Sequence, residues 1–194
     1  MTAPVEQVVL LDEQGRSLGL TDKRTVHHRD TPLHLAFSCY VFDDEGAVLV
    51  TRRATHKPTW PGAWTNSVCG HPGPGEDIAA AVRRRARDEL GIDVADVRLM
   101  LPTFRYRAVM PDGVVENEMC PVFVARTADA VRPDPDEVDS FEWVDWTDFR
   151  ATVLDGTRDV SPWCVSQVQA LPSDPVHAPP ESKQSLPPAA RHPR

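Results

Sequence analysis

Two short runs of the sequence place side chains capable of acid–base or metal chemistry two residues apart. Cys69 and His71 lie in VCGHPGPGE, and Glu116 and Glu118 lie in VVENEMC. Residues two apart in a β-strand project to the same face, so each pair should share one face of a sheet. Adjacent carboxylates repel each other unless they are exposed, share a proton or bind a cation. Because the surrounding GVVENEMCPVFVA is too apolar for a freely exposed strand, the pattern favours a bound cation or a shared proton.

These pairs form the start of a metal site with nitrogen and oxygen ligands if His71 meets the two glutamates. His27 and His34, on either side of the Thr31-Pro32 turn, are the candidates to complete it, although spacing makes His28 and His56 equally eligible. Five ligands leave a sixth position open for an octahedral ion such as Mn²⁺ or Mg²⁺, and Zn²⁺ is also compatible. The alternative is that each histidine is a surface or hydrogen-bonded residue.

A helix is predicted from Asp77 to Leu90 and ends at Gly91. Helical periodicity places Arg85 and Glu89 on its apolar stripe, where a helix built only for burial would have no charges. Two interpretations stay open. The charges form an i,i+4 ion pair at the edge of the core, or Glu89 meets a cation and Arg85 an anion.

Short strand patterns separated by turns must carry the two pairs. LHLAFSCYVF (33–42) and AVLVTRR (47–53) form a hairpin around DDEG, FRYRAVM (104–110) and VVENEMCPVFVA (114–125) repeat the pattern around PDG, and FEWVDW (141–146) is another strand. A second helix begins with Ser161 as N-cap and Pro162 in its first turn. Many antiparallel strands with few helices predict an α+β fold.

A chain of 194 residues with 41% hydrophobic content is long enough for one well-buried core and short for two. We divide it into an N-terminal segment, 1–22, which could add a strand, a central domain, 23–171, and a Pro-rich tail, 172–194. The tail has little to bury and is predicted to be disordered. The four cysteines show no close pairing and are expected to be free thiols.

The formal net charge of −8 argues against nucleic acid as the partner. No apolar run is long enough to span a membrane, and the first residues lack an export signal, so we expect a cytoplasmic protein without a membrane partner. We also expect a monomer. An anionic small substrate needs a local cluster of cations. The candidates for holding a diphosphate are Lys23, Arg53, Lys57 and Arg85, each of which could instead be a solvated surface residue.

Several longer motifs resemble one enzyme family. TRRATHKPTWPGAWTNSVCGHPGPGE, RRARDELGI, FRYRA and GVVENEMCPVF are similar to type I isopentenyl-diphosphate delta-isomerase, a member of the Nudix-fold superfamily. The likeness runs from about Lys23 to Gln169. It implies a Nudix-type arrangement of mixed and antiparallel sheets with flanking helices.

The chain departs from the signature of Nudix hydrolases, G-x5-E-x7-R-E-U-x-E-E-x-G-U, at two acidic positions. Arg85 stands at the first of the clustered glutamates, and Asp88 replaces another. The positions that fit are Gly70, Glu76, Arg84, Glu89, Gly91 and Ile92. Losing carboxylates there removes metal ligands, which weakens the case for diphosphate hydrolysis and agrees with the isomerase branch.

The resemblance implies the isomerisation of isopentenyl diphosphate to dimethylallyl diphosphate in isoprenoid biosynthesis, with Cys69 and Glu118 as the catalytic pair. It also implies one divalent metal among five ligands and a Mg²⁺ that arrives with the diphosphate at Glu89. The five ligands are His27, His34, His71, Glu116 and Glu118. Tyr106 and Trp163 match supporting aromatic positions of the family. Two interpretations stay open for each: Tyr106 hydrogen-bonds and orients Glu118 or caps the sheet, and Trp163 faces a carbocation or packs at a helix start.

Two other functions remain open from the sequence. A Nudix-type diphosphohydrolase would release phosphate and be indifferent to loss of Cys69. A non-catalytic module that binds metal and prenyl diphosphate would bind substrate without turnover. An isolated cysteine such as Cys69 is otherwise a small buried apolar residue, which is the interpretation we give to Cys39, Cys120 and Cys164.

Overall fold

The structure, a computed structural model, describes residues 6–191. Its strands are β1 (Gln7–Leu11), β2 (Ser17–Asp22), β3 (His34–Leu35), β4 (Phe37–Phe42), β5 (Ala47–Arg53), β6 (Trp64–Thr65), β7 (Val68–Gly70), β8 (Ala95–Leu101), β9 (Arg105–Val109), β10 (Val115–Met119), β11 (Val122–Arg126) and β12 (Val138–Asp145). Its helices are α1 (Ile78–Leu90), α2 (Trp146–Leu154), α3 (Pro162–Ala170) and α4 (Pro188–Arg191), with a 3₁₀ turn at Lys183–Ser185. Among these residues, no helix combines the length and apolar character needed to cross a bilayer.

The strands form two sheets. The first has the order β2-β1-β3-β10-β9, and the second has the order β12-β5-β4-β11-β8, with β6 paired to β5 and β7 to β4. Every residue of β4 is buried. Phe37, Cys39 and Val41 point toward α1, whereas Tyr40 and Phe42 pack with residues of α2 and α3. Helices therefore cover both faces of the second sheet, which explains why β4 is apolar on both sides.

Two chain segments cross from one sheet to the other side by side. β3 passes into β4 through Ala36, and β10 passes into β11 through Cys120 and Pro121. β3 is parallel to β10 and β4 is parallel to β11. Pro121 has no N–H for a ladder, but its carbonyl accepts from the Ser38 N–H at 3.1 Å, so the pairing continues across the break. This seam between the sheets carries the candidate site.

Helix α1 has the boundaries that the sequence predicts. The Asp77 side chain accepts from the Ala80 N–H at 3.0 Å, and Gly91 adopts φ 64° after the last turn. A Cβ at Gly91 would lie 2.8 Å from the Arg132 carbonyl oxygen, so a glycine is needed there for space as well as for the backbone angle. α3 also begins at Pro162 after Ser161, as predicted.

Three predictions of local structure were wrong. The run 114–125 is two strands in different sheets rather than one. The run 33–42 is likewise divided, between β3 in the first sheet and β4 in the second. Trp146 begins α2 instead of ending a strand, because the Asp145 carboxylate accepts from the N–H groups of Thr147 and Asp148 at 2.8 and 3.1 Å. An N-cap bond of this kind ends the strand and starts the helix.

The part of the Pro-rich tail that the structure describes is ordered, contrary to the prediction. Leu186 is 2% exposed in the core beside α1. The Arg98 guanidinium donates to the carbonyls of Val176 and Ala178 at 2.6 and 2.9 Å, and the Ala189 N–H donates to the Gly15 carbonyl at 2.9 Å. One leucine and these backbone contacts attach a segment whose composition alone indicated nothing to bury. Residues 192–194 lie outside the described part.

Replacing Leu186 with alanine should lower the free energy of unfolding by about 2–3 kcal/mol, because a fully buried leucine would leave a cavity. Urea denaturation measures this change. Leu154→Ala is the matched control, since Leu154 is 38% exposed and should cost less than about 1 kcal/mol. Equal denaturation midpoints for Leu186→Ala and the parent would show that the tail does not contribute to the fold.

Candidate active site

The strand pairing brings the predicted groups to the seam between the two sheets. Glu118 on β10 lies opposite His34 on β3 and opposite Tyr106 on β9. Cys69 on β7 lies opposite Ser38 on β4. His71 follows directly after β7, so Cys69 and His71 enter the site from one short segment. The site is therefore assembled by registers between strands that are distant in sequence.

Four side chains converge closely enough to share one ion. One ligand atom from each lies within 4.8 Å of the others, and the residues are His27, His34, His71 and Glu118. The Nε2 atoms of His71, His34 and His27 lie 3.2, 3.3 and 3.8 Å from Glu118 Oε1. Glu116, predicted as a fifth ligand, lies outside this group of four. His28 and His56, which spacing left eligible, also lie outside it.

The protonation pattern of His34 fits a cation at this point. His34 Nδ1 lies 2.9 Å from the Pro32 carbonyl oxygen, which can only accept, so the ring proton is on Nδ1. In the neutral ring, Nε2 then presents a lone pair toward the Glu118 carboxylate. The Nε2 atoms of His27 and His34 are buried and have no hydrogen-bond partner among the described residues. Lone pairs that face a carboxylate in this way are suited to a divalent metal ion.

The pKa values of Glu118 and Glu116 shift in opposite directions. Burial would raise the pKa of Glu118, but the three histidine rings next to its Oε1 hold it well below its usual range. Burial, together with the negative charge of Glu118, raises the pKa of Glu116. The Tyr106 hydroxyl lies 2.8 Å from Glu118 Oε2 and 3.0 Å from Glu116 Oε2. A hydroxyl has one hydrogen, so Tyr106 can donate to only one of these two carboxylates at a time.

The Cys69 thiol is held by two polar neighbours. Its Sγ donates to Asn66 Oδ1 at 3.2 Å and lies 3.4 Å from Ser38 Oγ. Burial raises the pKa of Cys69 to about 11, although Ser38 and Arg53 act in the opposite direction. The other three cysteines are buried free thiols, as their interpretation as packing residues requires.

A cavity of about 550 Å³ joins the thiol, the cluster and the candidate phosphate cations. It is lined by Cys69, His27, His71, Tyr106, Glu116, Glu118, Trp163, Lys23, Arg53, Lys57, Arg85 and Glu89, among others. The Trp163 ring stacks near Tyr106 with centroids 5.5 Å apart and meets Trp60 edge-on at 5.6 Å. Cys69 and Glu118 therefore open onto one space with an aromatic wall.

Each candidate phosphate cation already has a partner. Lys23 Nζ lies 2.6 Å from Glu6 Oε2, and Arg53 donates to the Thr59 carbonyl. Arg85 Nη2 lies 2.6 Å from Glu89 Oε1 and 3.0 Å from Glu137 Oε1, and Lys57 also bonds Glu137. The i,i+4 pair foreseen for Arg85 and Glu89 is present.

Sequence reasoning missed Glu137, Glu6 and Asn66. Glu137 stands in the acidic loop PDPDEVDS, where its neighbours are also acidic, and no spacing signal marks it. Asn66 precedes the cysteine in TNSVC, and a polar run before a candidate strand was the available signal. Glu76, one of the positions that fit the Nudix signature, binds Arg84 at 2.8 Å and accepts from the Gly73 N–H at 2.7 Å. It therefore orients the loop after His71.

Glu137→Gln should lower stability at neutral pH. Burial alone would raise the pKa of Glu137, but Lys57 and Arg85 lower it from 4.5 to about 2. A carboxyl whose pKa is lowered by folding stabilises the fold at pH values above its pKa in the unfolded chain. This contribution is lost as the pH falls toward its pKa in the folded protein. The difference in urea midpoint between parent and variant should therefore be full at pH 7 and shrink between about pH 4.5 and pH 2.

Glu45→Gln, at an exposed turn residue, is the control for that experiment and should change little at any pH. A Glu137→Gln deficit of constant size at every pH would contradict the assigned ion pairs.

The fold has known counterparts. Residues 32–164 match the family model for the NUDIX domain. A crystal structure of a Deinococcus radiodurans protein aligns with a TM-score of 0.64 at 18% identity, over 84% of this chain and 98% of that one. The MutT protein from Methanosarcina mazei aligns with a TM-score of 0.56 at 17% identity, over 72% and 93%. The chain is thus a Nudix-fold protein, which confirms the α+β fold class.

Curated relatives identify one family within the class of Nudix-fold proteins. Isopentenyl-diphosphate Delta-isomerase of Saccharopolyspora erythraea is 54% identical over 96% of this chain and 97% of the relative. The proteins of the same name from Mycolicibacterium vanbaalenii and Klebsiella pneumoniae are 57% and 50% identical, over 88% and 84% of this chain and 93% and 89% of each relative. The chain belongs to the isopentenyl-diphosphate Delta-isomerase family, as the sequence motifs predicted.

Proposed function

We propose that this protein isomerises isopentenyl diphosphate to dimethylallyl diphosphate in isoprenoid biosynthesis. The observation that carries the proposal is the placement of Cys69 and Glu118 on the wall of one cavity, in a chain of the isomerase family. A volume of about 550 Å³ is in the usual range of small-molecule sites, about 300–1,000 Å³. The substrate carries five carbons and a diphosphate.

The reaction moves a double bond by one position. One member of the Cys69–Glu118 pair gives a proton to the terminal alkene carbon, and the other removes a proton from the carbon two positions away, so no atom is gained or lost overall. The intermediate resembles a tertiary carbocation, which water would capture, so both groups must be in place in a site that excludes water. Trp163 presents an aromatic ring to this positive charge, and a desolvated contact of this type contributes about 2 kcal/mol.

We assign the metal site to His27, His34, His71 and Glu118, with Glu116 as a further ligand if its side chain turns from Tyr106. Mn²⁺, Mg²⁺ and Zn²⁺ all suit nitrogen and oxygen ligands. When bound, such an ion would favour the ionised form of Glu118 and fix its carboxylate. Tyr106 holds the other oxygen of Glu118.

We further propose that Lys23, Arg53, Lys57 and Arg85 bind the diphosphate, and that Glu89 binds a Mg²⁺ that arrives with it. Their support is that all five line the cavity that holds Cys69. The acidic partners Glu6 and Glu137 pair with Lys23, Lys57 and Arg85 when no phosphate is bound, and Arg53 donates to the Thr59 carbonyl. The protein is proposed to act as a cytoplasmic monomer on this small substrate, with no nucleic-acid or membrane partner.

Incubation of the protein with isopentenyl diphosphate and a divalent metal in D₂O, followed by proton NMR, tests this function. Deuterium in a newly formed allylic product is the expected result. Release of free phosphate would instead support a Nudix-type hydrolase, and unchanged substrate would support a binding module. Exhaustive chelation provides the control, since activity should disappear and return with Mn²⁺ or Mg²⁺. Full activity after chelation would reject the proposed metal site.

A further inference from the structure

Asn66 lies behind the cavity wall and contacts two groups that face the cavity. Its side chain is fully buried, at 0% exposure. Asn66 Oδ1 accepts from Cys69 Sγ at 3.2 Å and from Trp163 Nε1 at 3.2 Å. Cys69 comes from β7 and Trp163 from α3, so one carboxamide oxygen joins two separate elements at the point where both meet the substrate space.

The orientation of this carboxamide is fixed by its nitrogen. Asn66 Nδ2 donates to the carbonyls of Cys39 and Val68 at 3.1 and 2.9 Å. A flipped amide would lose both bonds and would direct N–H groups at the Trp163 indole N–H. Because both hydrogens of the nitrogen are used, the oxygen must face the thiol and the indole.

The Thr65 hydroxyl bonds the same oxygen, and the Ser161 hydroxyl bonds Thr65 in turn. Thr65 Oγ1 donates to Asn66 Oδ1 at 2.9 Å, so its single hydrogen is used there. Thr65 Oγ1 also lies 2.8 Å from Ser161 Oγ, and Ser161 must therefore be the donor of that bond. The direction of each hydrogen bond follows from the one before it, and the series ends at Ser161, the N-cap residue of α3.

The position of Ser161 is unusual for a helix N-cap. The side chains of Asp77 and Asp145 each accept a backbone N–H of the helix that they begin, whereas the Ser161 side chain makes no such bond. Serine at this position ordinarily stabilises the helix end. Here its hydroxyl is directed at Thr65 instead, which indicates that holding Asn66 takes the place of capping α3.

We propose that Asn66 is a positioning residue that sets the Cys69 thiol and the Trp163 indole in a fixed relation, and that Thr65 and Ser161 fix Asn66 in turn. The proposal rests on the roles given to Cys69 and Trp163 in the proposed function. An alkene must meet the proton-transfer group and the aromatic face in one geometry, and misplacement by about 1 Å can lower a rate about a hundredfold. Because the thiol and the indole bond the same acceptor oxygen, they are restrained from shifting relative to each other.

Asn66→Ala should lower kcat about a hundredfold and leave KM within about threefold, because Asn66 is behind the wall and does not touch the substrate. The indole N–H signal of Trp163 in ¹⁵N-labelled protein, assigned with Trp163→Phe, should shift as it loses its acceptor. The signals of Trp143 and Trp146 should stay in place. A parent-like kcat, a KM that rises in step with the fall in kcat, or an unmoved Trp163 signal would each overturn the proposal.

Ser161→Ala decides the question if Asn66→Ala does not fold. It should lower kcat about tenfold with little change in the urea midpoint, because the Ser161 side chain does not cap α3. Asp145→Ala, at the capped start of α2, is the matched control and should lower the urea midpoint without changing kcat. If the parent protein is active, an unchanged kcat in Ser161→Ala overturns the inference. A parent that does not isomerise the substrate, or a fully active Cys69→Ala, overturns the proposed function itself and the inference with it.

Discussion

Cys69→Ala is expected to lower kcat by about a thousandfold or more while the fold stays intact. The substitution removes one sulfur from a side chain that lines the cavity, so packing changes little. It also removes the proposed proton-transfer group, and such groups contribute about 10²–10⁴ in rate. Steady-state kinetics with isopentenyl diphosphate, together with urea denaturation and metal content, measures the effect. The loss should appear in kcat with the metal content unchanged.

Cys164→Ala is the matched control for this prediction. Cys164 is a fully buried thiol whose Sγ lies 3.5 Å from the Tyr40 hydroxyl. It packs on the face of β4 opposite α1. Its loss should lower stability modestly and leave kcat unchanged. A near-normal rate for Cys69→Ala would remove Cys69 from the mechanism and would be the behaviour expected of a hydrolase.

Glu118→Gln is expected to abolish measurable turnover and to weaken binding of a divalent metal. The amide has nearly the same shape as the carboxylate, but it has no charge to oppose the ion and one fewer acceptor oxygen. Glu118 is the member of the cluster that contacts all three histidine rings, so its loss should affect the proposed metal binding and the proposed proton transfer together. Mn²⁺ titration followed by electron paramagnetic resonance reports the affinity, and the NMR assay reports turnover.

Glu116→Gln provides the comparison, since Glu116 is on the same strand face and shares the Tyr106 hydroxyl. The structure places it outside the group of four ligands, so its variant should retain more of the Mn²⁺ affinity than Glu118→Gln does. Equal losses in the two variants would instead make both carboxylates ligands, as the sequence resemblance implied. Parent-like Mn²⁺ affinity in Glu118→Gln would reject the metal cluster as assigned.

The elements that could be predicted from sequence were those set by local signals. Helix α1 has an N-cap aspartate, a terminal glycine and apolar residues at helical spacing, and all of these act within one segment. The shared face of Glu116 and Glu118 follows from the two-residue period of a strand. The motifs around Cys69 and Glu118 were specific enough to identify the family.

The features that escaped prediction depend on distant partners. The division of 114–125 between two sheets requires β3 and β4 alongside; Pro121 marks an interruption of the strand, but nothing in the run shows that the chain crosses to another sheet there. The tail is attached by Arg98 and by the space that Leu186 fills beside α1, so its composition alone was misleading. Glu137 binds Lys57 and Arg85 from a loop far along the chain, and only tertiary structure brings these charges together.

The paired crossings at Ala36 and at Cys120-Pro121 also determine where the chain can tolerate insertions. Side chains alternate between faces along each segment, so one additional residue at either crossing would reverse the facing of every later position in that strand. Ser38 would then turn away from Cys69, or Val122 and Phe123 would exchange their sides of the second sheet. The exposed turn between β4 and β5 has no such effect on the seam, and length variation in engineered or natural variants should accumulate there instead.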